Sequence, residues 1–142
     1  MSTTLESVVH REFDQAWTSG GDLDAIDELV TDDFEYHNPL LTTPVRGPDA
    51  YRRFVEEFHE VFENVTITAE EMLVQDDRIA TRFTTRATPR EAFLGVEVTD
   101  EEIEITGISV DHIEGGKLKR RYIVDDLPLL LGSSERLTPP TA

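Results

Sequence analysis

A carboxylate stands beside aliphatic and aromatic residues near the end of the segment KLKRRYIVDD, residues 117–126. Side chains alternate along a strand, so residues two or four positions apart share a face. Four residues at even positions of this segment are Leu118, Tyr122, Val124 and Asp126. An aspartate on such an apolar face is either paired with a cation or has a raised pKa and a chemical role. Asp126 is therefore the candidate catalytic residue, and Asp125 is expected to point the other way, into solvent.

Asp126 in an apolar pocket would suit proton transfer next to a carbonyl. With a pKa raised from ~3.9 toward neutrality, one carboxyl can take a proton from carbon and return it to the alkoxide that forms. The alternative is structural. In that case Asp126 pairs with Arg82 or Arg86, which share one face of an earlier strand, or it caps the residues that follow.

Further polar and aromatic residues complete the predicted site. His37 and Asn38, at the end of the extended segment TDDFEYHNP, are expected at the mouth of the pocket, where they would hydrogen-bond a substrate carbonyl. The alternative is a turn in which Asn38 braces the backbone before Pro39. The predicted substrate-binding residues are His37, Asn38, Tyr122, Arg82, Arg86, Tyr51 and Trp17.

Other kinds of chemistry find little support in the sequence. The four histidines, at positions 10, 37, 59 and 112, lack the spacing of metal ligands, so no metal site is predicted. The chain has no cysteine, and no serine stands in a nucleophile elbow. The pair Gly115-Gly116 is typical of a hairpin turn and not of a phosphate-binding loop.

The charge balance is strongly acidic, because thirty Asp and Glu against thirteen Lys and Arg give a net charge of -17. This charge argues against nucleic acid or an anionic membrane as a partner. No apolar run approaches the ~18 residues of a membrane span, and no signal-peptide pattern opens the chain, so a cytoplasmic protein is expected. The acidic surface, with only two lysines, favours adaptation to concentrated salt, which screens repulsion between like charges.

Periodicity along the chain predicts helices first and long strands later. Helical spacing of apolar residues covers 3–20, a short segment capped by Asp22, and 48–62. A phase change is predicted near Glu70 and a bulge at Gly107 in the extended segments, which are 31–39, 64–74, 78–88 and 103–126. The order indicates an α+β fold, a cone-shaped half-barrel of a strongly bent, mainly antiparallel sheet covered by three N-terminal helices. One domain over 1–132 would be followed by a mobile tail at 133–142.

The sequence resembles the SnoaL-like polyketide cyclases of the ketosteroid-isomerase-like group, which share the nuclear-transport-factor-2 fold. The order and spacing of these segments carry the resemblance: FEYHNP at 34–39, RGPDAYRRFVEEFHEVF at 46–62, DDRIATRFTTRAT at 76–88, EAFLGVEVT at 91–99 and EGGKLKRRYIVDDLPLLLG at 114–132. The resemblance implies a conical domain, often dimeric through its sheet, and an intramolecular aldol closure without metal or cofactor. It also implies a catalytic role for Asp126, with Tyr122 where tryptophan is usual and Thr88-Pro89 where the family has Thr-His.

Two functions from different classes follow. The first is a cofactor-independent enzyme of cyclase or isomerase type, acting by proton transfer on a small apolar carbonyl compound. The second is a non-catalytic domain of the same fold that shelters a hydrophobic ligand or presents its sheet for dimerisation. A dehydratase or epoxide hydrolase would need a second acid or base in the pocket, and the sequence does not identify one.

Overall fold

The computed structural model describes residues 4–91, 101–127 and 137–141. Helix α1 spans Leu5–Glu12 and continues as a π-helical turn over Phe13–Trp17. A 3-10 turn at Leu23–Ala25 leads into α2, Ile26–Leu29, and α3 spans Pro48–Val61. The strands are β1 Val30–His37, β2 Val45–Arg46, β3 Phe62–Gln75, β4 Arg78–Pro89, β5 Ile103–Glu114 and β6 Lys117–Asp125.

The helix starts follow from local hydrogen bonding. Thr4 caps α1 by accepting a hydrogen bond from the Ser7 N–H at 3.1 Å. Asp22 caps the second helical segment as predicted, through the Asp24 N–H at 3.0 Å. Pro48 occupies the first turn of α3, where a missing N–H costs nothing.

The six strands of the described residues form one sheet, in the order β2-β1-β6-β5-β4-β3. Strand β1 runs parallel to β6, and the other neighbours are antiparallel. The sheet does not close into a barrel, and three N-terminal helices pack on one face of it, so the expected α+β cone is confirmed. The core between helices and sheet includes Phe13, Phe34, Tyr51, Val55, Ile79 and Phe83.

Irregularities in the sheet decide which residues face the core. The phase change predicted near Glu70 is confirmed, because the register of β3 with β4 shifts between Ala69 and Glu71. The bulge predicted at Gly107 is wrong, since β5 pairs continuously with both neighbours through that residue. Ile108 and Val110 face outward instead, and the inward positions beside them hold buried polar residues, Ser109 and Asp111.

Two further expectations concern the mobile tail and the lack of a membrane span. Of the segment predicted to be mobile, residues 133–136 and 142 lie outside the described residues. Leu137 donates to the Leu40 carbonyl and accepts from the Thr42 N–H, both at 2.8 Å. None of the helices in the described part of the chain is long and apolar enough to cross a membrane.

Candidate functional site

A bulge in β6 sets the orientation of the residues that follow it. His112 pairs with Arg120 and Ile113 pairs with Leu118, so Lys119 is an extra residue in β6. An extra residue reverses the alternation of side chains beyond it. Beyond Lys119 the inward residues of β6 are therefore Arg121, Ile123 and Asp125.

An apolar cavity of about 190 Å³ opens between α3, the end of β1 and the end of β6. Its apolar walls are formed by Trp17, Tyr36, Leu40, Phe54, Phe58, Val61, Phe62, Leu127 and Leu137. A narrower space of about 50 Å³ shares Trp17, Tyr36 and Asp125 and reaches Arg121 along the sheet. Polar groups on the larger cavity come from Asn38, Asp125 and the helix residues Glu57 and Glu60.

Among the three carboxylates on this cavity, Glu57 and Glu60 are exposed, and Asp125 is the one that is partly buried. Its Oδ1 accepts a hydrogen bond from the Leu127 N–H at 3.0 Å. Burial raises the pKa of Asp125, the Leu127 N–H partly offsets that rise, and the neighbouring Asp126 charge adds to it. A carboxyl that is costly to ionise in its resting site gains a proton readily, which is the property required of an acid–base catalyst.

Asp126 does not lie on the face that was predicted for it, beside the cavity. Its Oδ1 accepts from the Thr106 N–H at 2.9 Å and its Oδ2 from the Thr106 hydroxyl at 3.1 Å, while its own N–H donates to the Thr106 carbonyl. It therefore ties the end of β6 to β5. The expectations that Asp126 faces the cavity and Asp125 the solvent are wrong, because the extra residue Lys119 reverses the alternation.

Tyr36 and Asn38 place a hydroxyl and an amide on the same cavity. The Asn38 Oδ1 accepts from the Leu40 N–H at 2.9 Å, and its Nδ2 donates to the Tyr36 hydroxyl oxygen at 3.4 Å. Asn38 therefore lines the cavity and also accepts a hydrogen bond from the backbone just after Pro39, and its contact with a substrate carbonyl stays a prediction. Burial raises the pKa of Tyr36 well above its usual range, and the Asp125 charge raises it further.

A buried ionic network supports the floor of the site. Arg121, only 1% exposed, donates from Nη1 to Glu12 Oε1 at 2.7 Å and from Nε to Asp111 Oδ1 at 2.6 Å. Glu12 Oε2 also accepts from the Tyr51 hydroxyl at 2.6 Å and the Trp17 Nε1–H at 3.1 Å. The π-helical turn that carries Trp17 directs its indole N–H to this network and its ring to the cavity.

Of the other predicted binding residues, some line the cavity and others lie away from it. Trp17 lies in the cavity wall, whereas Tyr51 is fully buried in the network and does not line the cavity. Tyr122 is 49% exposed on the outer face, where His37 stacks on it with 4.5 Å between ring centroids.

The two arginines also lie away from the cavity. Arg82 pairs with Glu71 at 3.3 Å, and Arg86 lies 3.5 Å from Glu104. Neither forms an ion pair with Asp126 within the described residues. Arg82 and Arg86 share one face of β4, as predicted, but this is the outer face of the sheet.

The sequence interpretation missed Asp125, Tyr36 and the α3 aromatics Phe54 and Phe58 as site residues. One signal was available. Leu118 and Ile123 are separated by five positions, an odd number, so both can face inward only if an extra residue lies between them.

Comparisons with known proteins place the fold. The family model described as SnoaL-like polyketide cyclase matches residues 7–131. IdmH of Streptomyces antibioticus, a proposed polyketide cyclase, is similar in structure, with a TM-score of 0.77, 24% identity, and 89% of this chain and 95% of that chain covered. A SnoaL-like polyketide cyclase of Agrobacterium tumefaciens has a TM-score of 0.75 at 20% identity, covering 88% and 93%.

A third structure shows the breadth of the fold. A Catenulispora acidiphila protein with a ketosteroid isomerase-like fold, solved with trimethylamine, has a TM-score of 0.69 at 16% identity, covering 87% of this chain and 85% of that one. A search of curated proteins found no match. Since the family model matches residues 7–131 of 142, the chain belongs to the SnoaL-like polyketide cyclase family.

Proposed function

We propose that the protein is a cofactor-independent enzyme of cyclase or isomerase type, in which Asp125 is the acid–base catalyst. The Asp125 carboxylate removes a proton from the carbon next to a carbonyl, and the electron pair of the broken C–H bond forms an enolate. In a cyclisation the enolate carbon then attacks a second carbonyl carbon of the same molecule. The protonated Asp125 returns its proton to the resulting alkoxide, so the enzyme ends in its starting state.

The observation that carries the proposal is the setting of Asp125. A carboxyl with a raised pKa lies in an apolar, aromatic-walled cavity, and within the described residues its one hydrogen bond comes from the Leu127 N–H. Buried carboxylates with a purely structural role are paired with cations, as Asp111 is with Arg121. Asp125 has no such pair among the described residues.

The cavity also limits the substrate. Its volume of about 190 Å³ is below the ~300 to 1,000 Å³ of pockets that enclose drug-sized ligands. Its walls offer apolar contact on most sides and aromatic rings from the helices and β1. The part of the substrate that the cavity encloses is therefore small and largely apolar, and the proposed chemistry requires a carbonyl group in it.

Exchange of α-protons tests the proposal without knowledge of the natural substrate. Small aromatic ketones, for example acetophenone, 1-indanone and 2-tetralone, are incubated with the protein in D₂O, and loss of the α-proton signal is followed by NMR. We expect exchange that Asp125→Asn slows by about 10² to 10⁴. Asp126→Asn is the matched control, expected to lose stability through its Thr106 contacts with a much smaller effect on exchange.

The outcomes separate the alternatives. Occupancy is read from the fluorescence of Trp17, the single tryptophan of the chain, which lies in the cavity wall. Binding without exchange favours the non-catalytic ligand-binding domain. Exchange that depends on Asp126 and not on Asp125 returns the catalytic role to Asp126. Exchange lost with Asp125 alone supports the proposal.

We further propose that two copies associate through the outer face of the sheet. Four large apolar side chains lie there on two adjacent strands, at 41% to 60% exposure: Ile108, Val110, Tyr122 and Val124. Val110 pairs with Tyr122 and Ile108 with Val124, so the four form a continuous patch. A contiguous apolar patch on a small soluble domain is typical of an association surface.

A further inference from the structure

Trp17 and Glu12 are joined by a hydrogen bond although they lie five positions apart in the chain. In an α-helix, residues five positions apart point about 140° away from each other around the axis. The chain winds more widely here, because the Thr18 N–H donates at 3.1 Å to the Phe13 carbonyl, five residues earlier. The π-helical turn over Phe13–Trp17 therefore brings the indole N–H to the Glu12 carboxylate.

The indole ring of Trp17 is held both through its N–H and through its faces and edges. Its Nε1 lies 3.1 Å from Glu12 Oε2 and 2.9 Å from the Tyr51 hydroxyl oxygen. The ring packs nearly parallel to Tyr36, at 28°, and nearly perpendicular to Phe58, at 74°. Glu12 is fully buried, so water does not compete for this hydrogen bond. The Glu12 carboxylate therefore helps to fix the orientation of the ring.

Two spaces inside the protein meet at Trp17. The cavity of about 190 Å³ and the narrower space of about 50 Å³ share Trp17 and four neighbours, Tyr36, Phe58, Asp125 and Leu127. Trp17 packs against both Tyr36 of β1 and Phe58 of α3, so its ring fills the shared wall between these two elements. The narrower space continues to a largely apolar end, formed by Phe13, Ile67, Phe83, Ile105 and Ile123.

The narrower space has the size and lining for a short alkyl group. An apolar cavity of ~150 Å³ admits benzene, so a space of about 50 Å³ is too small for an aromatic ring. A methylene that moves from water into such a space strengthens binding by about 4-fold. Trp17 has the largest side chain in the shared wall, so the position of its ring decides whether a ligand in the cavity reaches this space.

We propose that Trp17 is a specificity-determining residue that closes the narrower space to the ligand, and that Glu12 is the positioning residue that holds the Trp17 ring. The inference rests on the proposed role of the cavity as the ligand site, and it does not depend on the chemistry at Asp125. An alkyl chain on a bound ketone then extends toward the mouth of the cavity and stays in contact with water. If the ring is shortened or released, the chain enters the narrower space instead.

Phenyl ketones with alkyl chains of increasing length provide the test, because their affinities show whether each added methylene is buried. The probes are acetophenone, propiophenone and butyrophenone, and binding is measured by isothermal titration calorimetry. In the unmodified protein, each methylene should change the affinity by less than about 2-fold, since it stays in contact with water. In Trp17→Phe, whose smaller ring lacks the N–H, each methylene should strengthen binding by about 4-fold.

Glu12→Gln tests the positioning role without changing the ring. Arg121 donates a charge-assisted hydrogen bond to Glu12 Oε1, so the new amide oxygen stays with Arg121 and its NH₂ group replaces the oxygen that accepts from Trp17. Arg121 also keeps its pair with Asp111. The chain has one tryptophan, so a single indole N–H resonance reports the change. It should move to lower frequency, and each methylene should strengthen binding by about 2- to 4-fold.

Phe54→Leu is the matched control. Phe54 contacts Trp17 and lines the larger cavity, but it is not among the described residues that line the narrower space. Phe54→Leu should therefore change the affinity for all three ketones by one common factor. The gain per methylene should stay as small as in the unmodified protein.

The outcomes distinguish this inference from the function on which it rests. A gain per methylene in Trp17→Phe and Glu12→Gln, absent in Phe54→Leu, supports it, and Glu12→Gln carries the test if Trp17→Phe does not fold. No added gain in Trp17→Phe, or an equal gain in Phe54→Leu, overturns the role of Trp17 and leaves the Asp125 site standing. No added gain in Glu12→Gln alone overturns the role of Glu12.

Two further results concern the proposed function itself. Absence of any ketone binding by the unmodified protein overturns both the proposed function of the cavity and the roles of Trp17 and Glu12. The expected gains per methylene without α-proton exchange contradict the chemistry proposed for Asp125 and support the roles of Trp17 and Glu12.

Discussion

Gly107 and Asp125 lie directly opposite each other on β5 and β6, and the lack of a side chain at Gly107 leaves room for the Asp125 Cβ. A Cβ at residue 107 would lie 2.8 Å from the Asp125 Cβ, 2.5 Å from the Val124 carbonyl oxygen and 2.8 Å from the Phe83 ring. Backbone and a packed ring cannot easily move away. The glycine is therefore required by packing, and not by a bulge.

Gly107→Ala should accordingly displace Asp125. We expect a loss of about 1 to 3 kcal/mol in the free energy of unfolding, from overpacking, together with loss of α-proton exchange. Gly116→Ala is the matched control, because its φ of +78° strains an added side chain while no atom lies within 4 Å of its Cβ. It should lose comparable stability, measured by urea unfolding, and keep exchange. Normal exchange in Gly107→Ala would contradict the positioning role.

Removing the charge of Asp125 should stabilise the protein at neutral pH. The pKa of Asp125 is raised by burial in the folded state, so the unfolded chain releases this proton at lower pH than the folded one. Both states are protonated well below the unfolded value of ~3.9, and no stability is lost there. Between that value and the raised folded pKa, Asp125 ionises in the unfolded state while it stays protonated in the folded state. The free energy of unfolding therefore falls as pH rises through this range.

Urea midpoints measured from about pH 3 to 8 would show this difference. Asp125→Asn should match the unmodified protein at the acid end and become progressively more stable than it toward neutral pH. Other ionisable groups are common to both proteins and cancel in the difference. A difference that stays constant with pH would contradict burial as the cause of the raised pKa.

The buried network should be sensitive to loss of its cation. Arg121→Met leaves the carboxylates of Glu12 and Asp111 buried and unpaired, which we expect to cost about 3 to 5 kcal/mol. Arg82→Met removes an exposed arginine whose pair with Glu71 is worth about 1 kcal/mol or less. Chemical denaturation of the two variants provides the comparison. Equal, small losses would show that the network contributes little to folding.

Replacing apolar residues on the outer face should separate the proposed dimer. Ile108→Arg with Val124→Arg places two cations in the patch, and burial of unpaired charges opposes association. Light scattering should give a dimer for the unmodified chain at micromolar concentration and a monomer for the double variant. Trp17 fluorescence should report the same ligand binding in both. A monomeric unmodified chain would contradict the prediction.

Stability should also rise with salt. The net charge of -17 is distributed over 142 residues, and the Debye length falls from ~10 Å at 0.1 M to ~3 Å at 1 M. Repulsion between carboxylates several ångströms apart should therefore weaken, while short Arg–carboxylate contacts partly survive. The melting temperature in KCl from about 0.1 M to 1 M is the measurement. A flat or falling curve would show that the acidic surface is not a salt adaptation.

Local sequence signals predicted most of the fold. Capping by Asp22, the apolar stripe of α3, the phase change near Glu70 and the turn at Gly115-Gly116 all depend on residues close together in the chain. The site could not be derived in the same way. One extra residue, Lys119, exchanges the faces of Asp125 and Asp126, and strand alternation alone does not reveal it.

The inner face of β5 shows a second feature that the sequence pattern could not predict. The bulge at Gly107 is predicted from the apolar residues Ile108 and Val110, which lie on the outer face, whereas the inner face beside them carries the buried polar residue Asp111. It is buried because Arg121 pairs with it, and Arg121 in turn pairs with Glu12, which lies 109 positions earlier in the chain. The buried charges are paired only once distant parts of the chain have come together in the fold. A pattern within one segment of the sequence therefore does not indicate the network.

The state of the Asp125 carboxyl is the most direct test of the proposed chemistry. Its Cγ resonance can be followed by ¹³C NMR against pH and assigned by its loss in Asp125→Asn. We expect the Asp125 pKa to lie above the ~3.9 of an unperturbed aspartate and a bound aromatic ketone to shift the same resonance. A pKa at or below that value, with no response to ketone, would contradict Asp125 as the acid–base residue.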